Sequence, residues 1–271
     1  MVAGGSLLLA AAGGFPLRGA GGEQGGLEVS LRLQSEVFSQ HGPVDAVLSI
    51  QNNSQGPVKL ELGLDFKGAL LVTFHLPDGT LAKRQYPQEA DGFGAIGRLA
   101  LAPGQTFDDT LVLNDWQGFD ELGSYEVAVE LPPVQEPAWL RSKGLITSGR
   151  FRVVPRDPAQ LEAACRRLQA AALGREPRSV MAAAHALSFA TDEACLPSLV
   201  AVLRASFLGR DGAIRGLARL GPAGAVAAVV SAWDDLDQHF RESALREFRF
   251  AGRESALREA LQRSGKKAGP S

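Results

Sequence analysis

Apolar and polar residues alternate with a period of two over the first half of the chain and recur with a helical period over the second. Leu27-Glu28-Val29-Ser30-Leu31-Arg32-Leu33 places every second side chain on one face, the pattern of a strand buried on one side. Comparable runs occupy Val44–Gln51, Lys59–Leu64, Leu70–Leu76, Leu81–Tyr86, Arg98–Leu101, Thr106–Leu113, Ser124–Leu131 and Gly149–Val154. Turn residues separate them, notably Asn52-Asn53-Ser54-Gln55-Gly56-Pro57 and Pro77-Asp78-Gly79. The looser stretch Pro132–Lys143 is expected to fold Trp139 and Leu140 back onto the sheet. Short strands at this spacing, without the crossover helices that a parallel sheet needs, predict an all-β sandwich.

At Asp157-Pro158 the period changes. An Asp followed by Pro starts a helix well, because the carboxylate caps free amides and the proline sits where no amide is needed. Leu161, Cys165 and Leu168 then share one helix face. Beyond them an apolar motif recurs: Leu187 with Leu199 and Leu203, Leu217 with Val229 and Trp233, Leu245 with Leu257 and Leu261. The units step by 30 and then 28 residues, and each is broken in the middle, at Ala190-Thr191-Asp192, Gly221-Pro222 and Ala251-Gly252. A helix pair of that length cannot bury its apolar face alone, so the units are expected to stack, with Leu187, Leu217 and Leu245 as equivalent positions.

Two local motifs carry a resemblance. Leu101-Ala102-Pro103-Gly104-Gln105 leading into a strand, and Gly123-Ser124-Tyr125-Glu126-Val127 opening a late one, resemble the immunoglobulin-like domains of bacterial exported proteins. The resemblance implies that Tyr125 is a tyrosine corner, its hydroxyl tied to nearby backbone. The order of turns from Val44 to Leu131 is also similar to the proteinase-inhibitor-type sandwich of bacilli. The thirty-residue units resemble short HEAT-like repeats of the phycobilin-lyase type. The expected architecture is thus an all-β immunoglobulin-like sandwich followed by an all-α HEAT-like α-solenoid. Its bounds are a signal-like or disordered segment over 1–26, the sandwich over 27–155, the repeats over 157–264 and a disordered tail over 265–271.

Composition changes this picture little, but charge and cysteine add to it. The 271 residues carry a formal net charge of −2, which gives no electrostatic case for nucleic acid. The balance is uneven: residues 156–271 hold 17 Lys/Arg against 13 Asp/Glu, and the remainder 11 against 17. The run Ser6-Leu7-Leu8-Leu9-Ala10-Ala11-Ala12 reads as the apolar stretch of a signal peptide without its usual basic start, and it is too short to span a bilayer. A periplasmic or extracellular location is expected, with a cytoplasmic one as the alternative. Cys165 and Cys195 are too few for a disulfide framework or a zinc cage; two buried free thiols are favoured over a mutual bridge.

Catalytic chemistry is sparse. Gly92-Phe93-Gly94-Ala95-Ile96-Gly97 matches a dinucleotide fingerprint in form, yet it leads into a strand rather than a helix and reads as a loop. His41, His75, His185 and His239 are far apart in sequence, and His185 reads as a packed residue. Asp234-Asp235-Leu236-Asp237 is read as helix capping rather than a metal site. No cofactor, metal or catalytic residue is therefore expected. The function expected is a non-catalytic exported scaffold or adaptor that binds a protein partner, with no nucleic acid and no membrane span. Arg204, Arg258 and Arg263, on the second helices of the units, are the candidate partner-binding residues. The alternatives are a protease inhibitor acting through sandwich loops and a lyase-like enzyme.

Overall fold

Leu27, Val29 and Leu31 are fully buried and the residues between them are not, as their alternation requires. The computed structural model describes residues 22–24, 26–61, 66–86, 98–131, 145–221 and 223–267. Outside them lie the signal-like run, the Gly92–Gly97 loop, Pro132–Lys143 with Trp139 and Leu140, and Pro222.

The described strands are β1 (Gly22–Gln24), β2 (Leu27–Leu33), β3 (Val37–Ser39), β4 (Asp45–Asn52), β5 (Val58–Glu61), β6 (Leu71–His75), β7 (Leu81–Arg84), β8 (Arg98–Leu101), β9 (Thr106–Val112), β10 (Gly123–Glu130) and β11 (Ile146–Val154). They form three small sheets, in the orders β1-β2-β4-β9, β3-β11-β10-β6-β7 and β5-β8. Neighbours are antiparallel except β3 and β11, which run parallel. One core lies among the three sheets, with a cluster of edge-to-face and stacked rings from Phe38, Phe119, Tyr125 and Phe151. The Tyr125 hydroxyl donates to the Glu121 carbonyl at 2.9 Å, the tie to nearby backbone that its position implied.

Seven helices follow: α1 (Pro158–Ala172), α2 (Pro177–Leu187), α3 (Leu196–Ala205), α4 (Arg210–Leu220), α5 (Ala223–Ala232), α6 (Gln238–Phe250) and α7 (Glu254–Arg263). Local chemistry starts and stops them. The Asp157 carboxylate accepts from the amides of Ala159 and Gln160, Glu176 caps α2 in the same way, and Asp237 accepts from Phe240 at the start of α6. Gly221 ends α4 at φ 71°, a left-handed conformation that favours glycine. The helices α2, α4 and α6 pack side by side, and α1, α3, α5 and α7 lie against them as a second row.

The expected all-β sandwich followed by an all-α HEAT-like solenoid is corrected by this arrangement. The molecule is mixed α/β, with several small sheets and seven helices that share packing with the strands. Val112 of β9 is buried in the same core as the helices, α2 packs on β9, and α1 packs on β3. The stacking expected of equal repeats is also absent. Leu187, Leu217 and Leu245 are all buried in one core, but lateral contacts step by 28 residues from α2 to α4 (Ala184 with Gly212, Ser188 with Gly216). From α4 to α6 they step by 32 (Asp211 with Ser243, Arg215 with Glu247). Hydrophobic periodicity reports which face of a helix is buried; close backbone approach decides how far one helix slides along the next.

Glycine sets that slide between α2 and α4. A Cβ on Gly212 would sit 2.5 Å from the Ala184 carbonyl oxygen. In an open helix Gly→Ala adds about 1 kcal/mol of stability. Here Gly212→Ala is expected to lower stability by about 1–3 kcal/mol, because backbone must move to admit the methyl group. A thermal unfolding curve decides the sign, and a higher midpoint for Gly212→Ala would refute the close contact.

Both cysteines are fully buried and joined to each other, Cys165 from α1 and Cys195 from the 3-10 turn that leads into α3. This corrects the expectation of free thiols: one helical turn of side chain on α1 faces the start of α3, a proximity no spacing could reveal.

The strand-rich and helical parts are tied by ion pairs around nearly buried carboxylates. Arg167 of α1 reaches both oxygens of Asp45 in β4 at 2.9 and 3.0 Å. Arg156, just after β11, grips Asp192 through two nitrogens, and this pairing holds the Asp192 carboxyl below the usual carboxylate range. Backbone joins in, with the Thr191 amide donating to the His41 carbonyl at 3.0 Å.

Candidate functional site

From Leu220 to Trp233 the chain carries no charged residue. A helix that is apolar all round belongs inside a protein. The helix α5 is built from this run, yet Ala223, Gly224, Ala227 and Ser231 on it are exposed. Its buried side is anchored by Ala225, Val229 and Ala232, which leaves a track of small side chains facing outward. That charge-free run is the signal that sequence reasoning passed over.

Beside this track lies α7, and the two helices bound a groove of about 620 Å³. Val226, Val230 and Ala260 line it along with the exposed Ala223, Ala227 and Ala256. Its polar lining is Ser231, Glu259, Arg263, Ser264 and Lys266. The helices run with their C-terminal ends together, since the Lys266 ammonium, just past α7, donates to the Val230 carbonyl of α5 at 2.8 Å and pairs with Asp234 at 2.9 Å. The indole Nε1 of Trp233 donates to the Lys267 carbonyl at 3.1 Å. Residues 265–267 are thus pinned beside the groove, a correction to the disordered tail expected there; residues 268–271 lie outside the described residues.

The three candidate arginines fare differently. Arg263 lines the groove and makes no hydrogen bond or ion pair among the described residues. Arg204, at the end of α3, donates to the Ser231 hydroxyl at 2.9 Å and so stands at the groove margin. Arg258 does not line it. Its guanidinium and that of Arg249 both hold Glu254, whose carboxyl is pushed down to about 2, first by the Arg249 hydrogen bonds and then by Arg258.

A second polar cluster forms where strands meet helices. The His185 Nε2 lies 2.8 and 2.9 Å from the two oxygens of Asp115, and Lys67 stands 3.9 Å from the same carboxylate. The His185 ring meets Phe189 edge-on, and the Arg219 guanidinium stacks 4.4 Å over Phe189. Burial, and then the neighbouring Arg215, lowers the Arg219 pKa. The histidine, read from its alanine neighbours as packed, in fact bonds a carboxylate some seventy residues away. A histidine held by a carboxylate is an oriented base, yet its other nitrogen makes no hydrogen bond among the described residues, so no nucleophile stands ready. In the other His–Asp contact, Asp211 accepts from the Ser243 hydroxyl directly while His239 lies 3.6 Å away, which is not the relay of a catalytic triad. Among the described residues no group of three or more His, Cys, Asp or Glu could hold a metal ion, and no helix is long and apolar enough to cross a membrane.

No protein family matches the chain, and no curated protein matches it. Among solved structures it is similar to the alkylpurine DNA glycosylase of Pseudomonas fluorescens bound to DNA containing an abasic site analog, at 10% identity over 45% of this chain and 28% of that one, with a TM-score of 0.26. It is similar also to a β-glucosidase from Listeria innocua in complex with glucose, at 14% identity over 48% of this chain and 16% of that one, TM-score 0.28. The β-glucuronidase of Bacteroides uniformis aligns with 88% of this chain and 32% of its own length, at 11% identity and a TM-score of 0.25. The chain spans a third or less of each of these proteins. Likenesses this distant carry no argument about fold or activity.

Proposed function

We propose that this chain is a non-catalytic, exported binding protein that holds a protein partner in the groove between α5 and α7. The observation that carries the reading is the exposed, charge-free face of α5. A solvated helix ordinarily places charged or long polar side chains outward, and leaving alanine there costs nothing only if something covers it. The ion pairs at Asp45, Asp115 and Asp192 support a scaffold role, because they hold the strand-rich part at a fixed angle to the groove. The Cys165–Cys195 bridge supports export, since such bonds persist in oxidising compartments.

The test places a photo-crosslinking residue at Ala227, inside the groove, and at Gln262, exposed on α7 but outside the groove lining. The expected result is a discrete adduct from position 227 and none from 262. Ala227→Glu in the same chain is expected to abolish partner capture while changing stability by no more than about 0.5 kcal/mol, as at other exposed positions. Equal adducts from both positions, or capture unaffected by Ala227→Glu, would overturn the assignment.

A further inference from the structure

We infer that the occupant of the α5–α7 groove is an acidic amphipathic helix, an inference that rests on the groove being a protein-binding site. Three features of the groove select this chemistry. The first is its floor. Valine and alanine supply almost no hydrogen-bonding partners along its length, so an extended peptide would leave its own amides and carbonyls facing an apolar wall. A helix satisfies its backbone internally and can bring a ridge of side chains into the space between two helices.

The second feature is size. The exposed track from Ala223 to Ser231 is about 12 Å long at the rise of an α-helix, so roughly two turns of a ligand lie on it. Alanine walls allow close approach, and about 620 Å³ accepts a few aliphatic side chains from the ligand's inward face.

The third is charge. Arg263 and Lys266 line the groove at the C-terminal ends of the two helices, against the single carboxylate of Glu259, and Arg204 stands beside them on Ser231. Lys266 already serves α5, bonded to the Val230 carbonyl and paired with Asp234. Arg263 has no such duty among the described residues. A guanidinium left free at the edge of an apolar groove is suited to a carboxylate, which it takes through two parallel hydrogen bonds. The residues outside 156–271 are net acidic and the helical part net basic, consistent with a surface that draws an anionic partner to the helices.

The experiment uses the full-length chain and three fluorescein-labelled probe peptides of about 18 residues, long enough for a stable ligand helix. One carries leucine and alanine along one face with glutamate on the other. The second has lysine in place of glutamate, and the third has the composition of the first in an order that destroys the apolar face. By fluorescence anisotropy at low salt the glutamate peptide is expected to bind about tenfold more tightly than the lysine peptide, the effect of one well-placed ion pair. The preference should shrink at high salt as screening sets in. Arg263→Glu should erase or reverse it, Arg263→Lys should retain part of it, and Ala227→Glu should abolish binding of every probe. Equal affinity for glutamate and lysine peptides, a preference indifferent to Arg263→Glu, or no binding of any probe overturns the acidic-helix assignment. The crosslink from position 227 reports separately on whether the groove is a binding site at all. Concentration-dependent dimerisation in sedimentation, lost in Ala227→Glu, would give the groove to a second copy of this chain and likewise overturn it.

Discussion

Replacing Cys165 and Cys195 together by alanine is expected to lower the free energy of unfolding by about 3–4 kcal/mol, the chain-entropy value for a bridge that closes a loop of this size. The bond joins α1 to the turn before α3, so in the unfolded chain it restrains all of α2 and its connections. Both residues are fully buried, and reductant reaches the sulfurs only when the structure opens. Two readings follow from one set of urea curves. The double variant should show a much lower midpoint with or without dithiothreitol. The native chain should fall to the same midpoint only after long incubation with reductant. A native midpoint that matches the double variant under oxidising conditions would mean that the bridge contributes nothing. Because α1 and α3 belong to the row of helices that ends in the groove, the variant should also bind the glutamate probe less well near its unfolding midpoint and normally far below it.

Trp233→Ala is expected to cost about 3–5 kcal/mol, the range for removing a large aromatic side chain from a packed core. The ring is among the largest fully buried side chains in the molecule, at 1% exposure, and it belongs to the helical core. It also performs two polar tasks. Its Nε1 pins the Lys267 carbonyl, and its own carbonyl accepts from Arg241 at 3.0 Å, with the Arg241 guanidinium 6.0 Å from the ring. Trp233→Phe separates the contributions: it keeps most of the apolar ring and loses the indole hydrogen bond, worth about 1 kcal/mol. Protease sensitivity at the C-terminal end should rise in Trp233→Phe even where the thermal midpoint barely moves, since the residues that pin the chain beside the groove are released. A midpoint for Trp233→Ala within a degree of the native protein would show that the ring is not packed as described.

The alternation in Leu27–Leu33 and the boundary at Asp157-Pro158 were both legible, because each depends on neighbours a few residues away. Asp157 caps α1 by contacts within three residues of itself, and Asp237 does the same for α6. The strands at Gly22–Gln24 and Val37–Ser39 escaped notice because they are too short to show a period; β3 exists through its parallel pairing with β11, more than a hundred residues away. The candidate site was half legible. Arg263 was picked out by its place on a second helix, while Arg258 was picked out on the same ground and turns out to be occupied by Glu254. The groove itself was announced by the charge-free run from Leu220 to Trp233, but an apolar run has the same appearance whether a core or a partner covers it.

What the sequence by itself determined is local: which stretches are strand or helix, where caps and turns interrupt them, and which face of each is apolar. Only the tertiary structure decided what those faces meet. Strands and helices share a core through Val112, Cys165 and Cys195 bond, His185 finds Asp115, and Gly212 lets α4 slide to its own register on α2. The physical reason is that periodicity encodes a direction of burial and no identity for the neighbour. Pairing is settled by shape and charge among groups that only folding brings together.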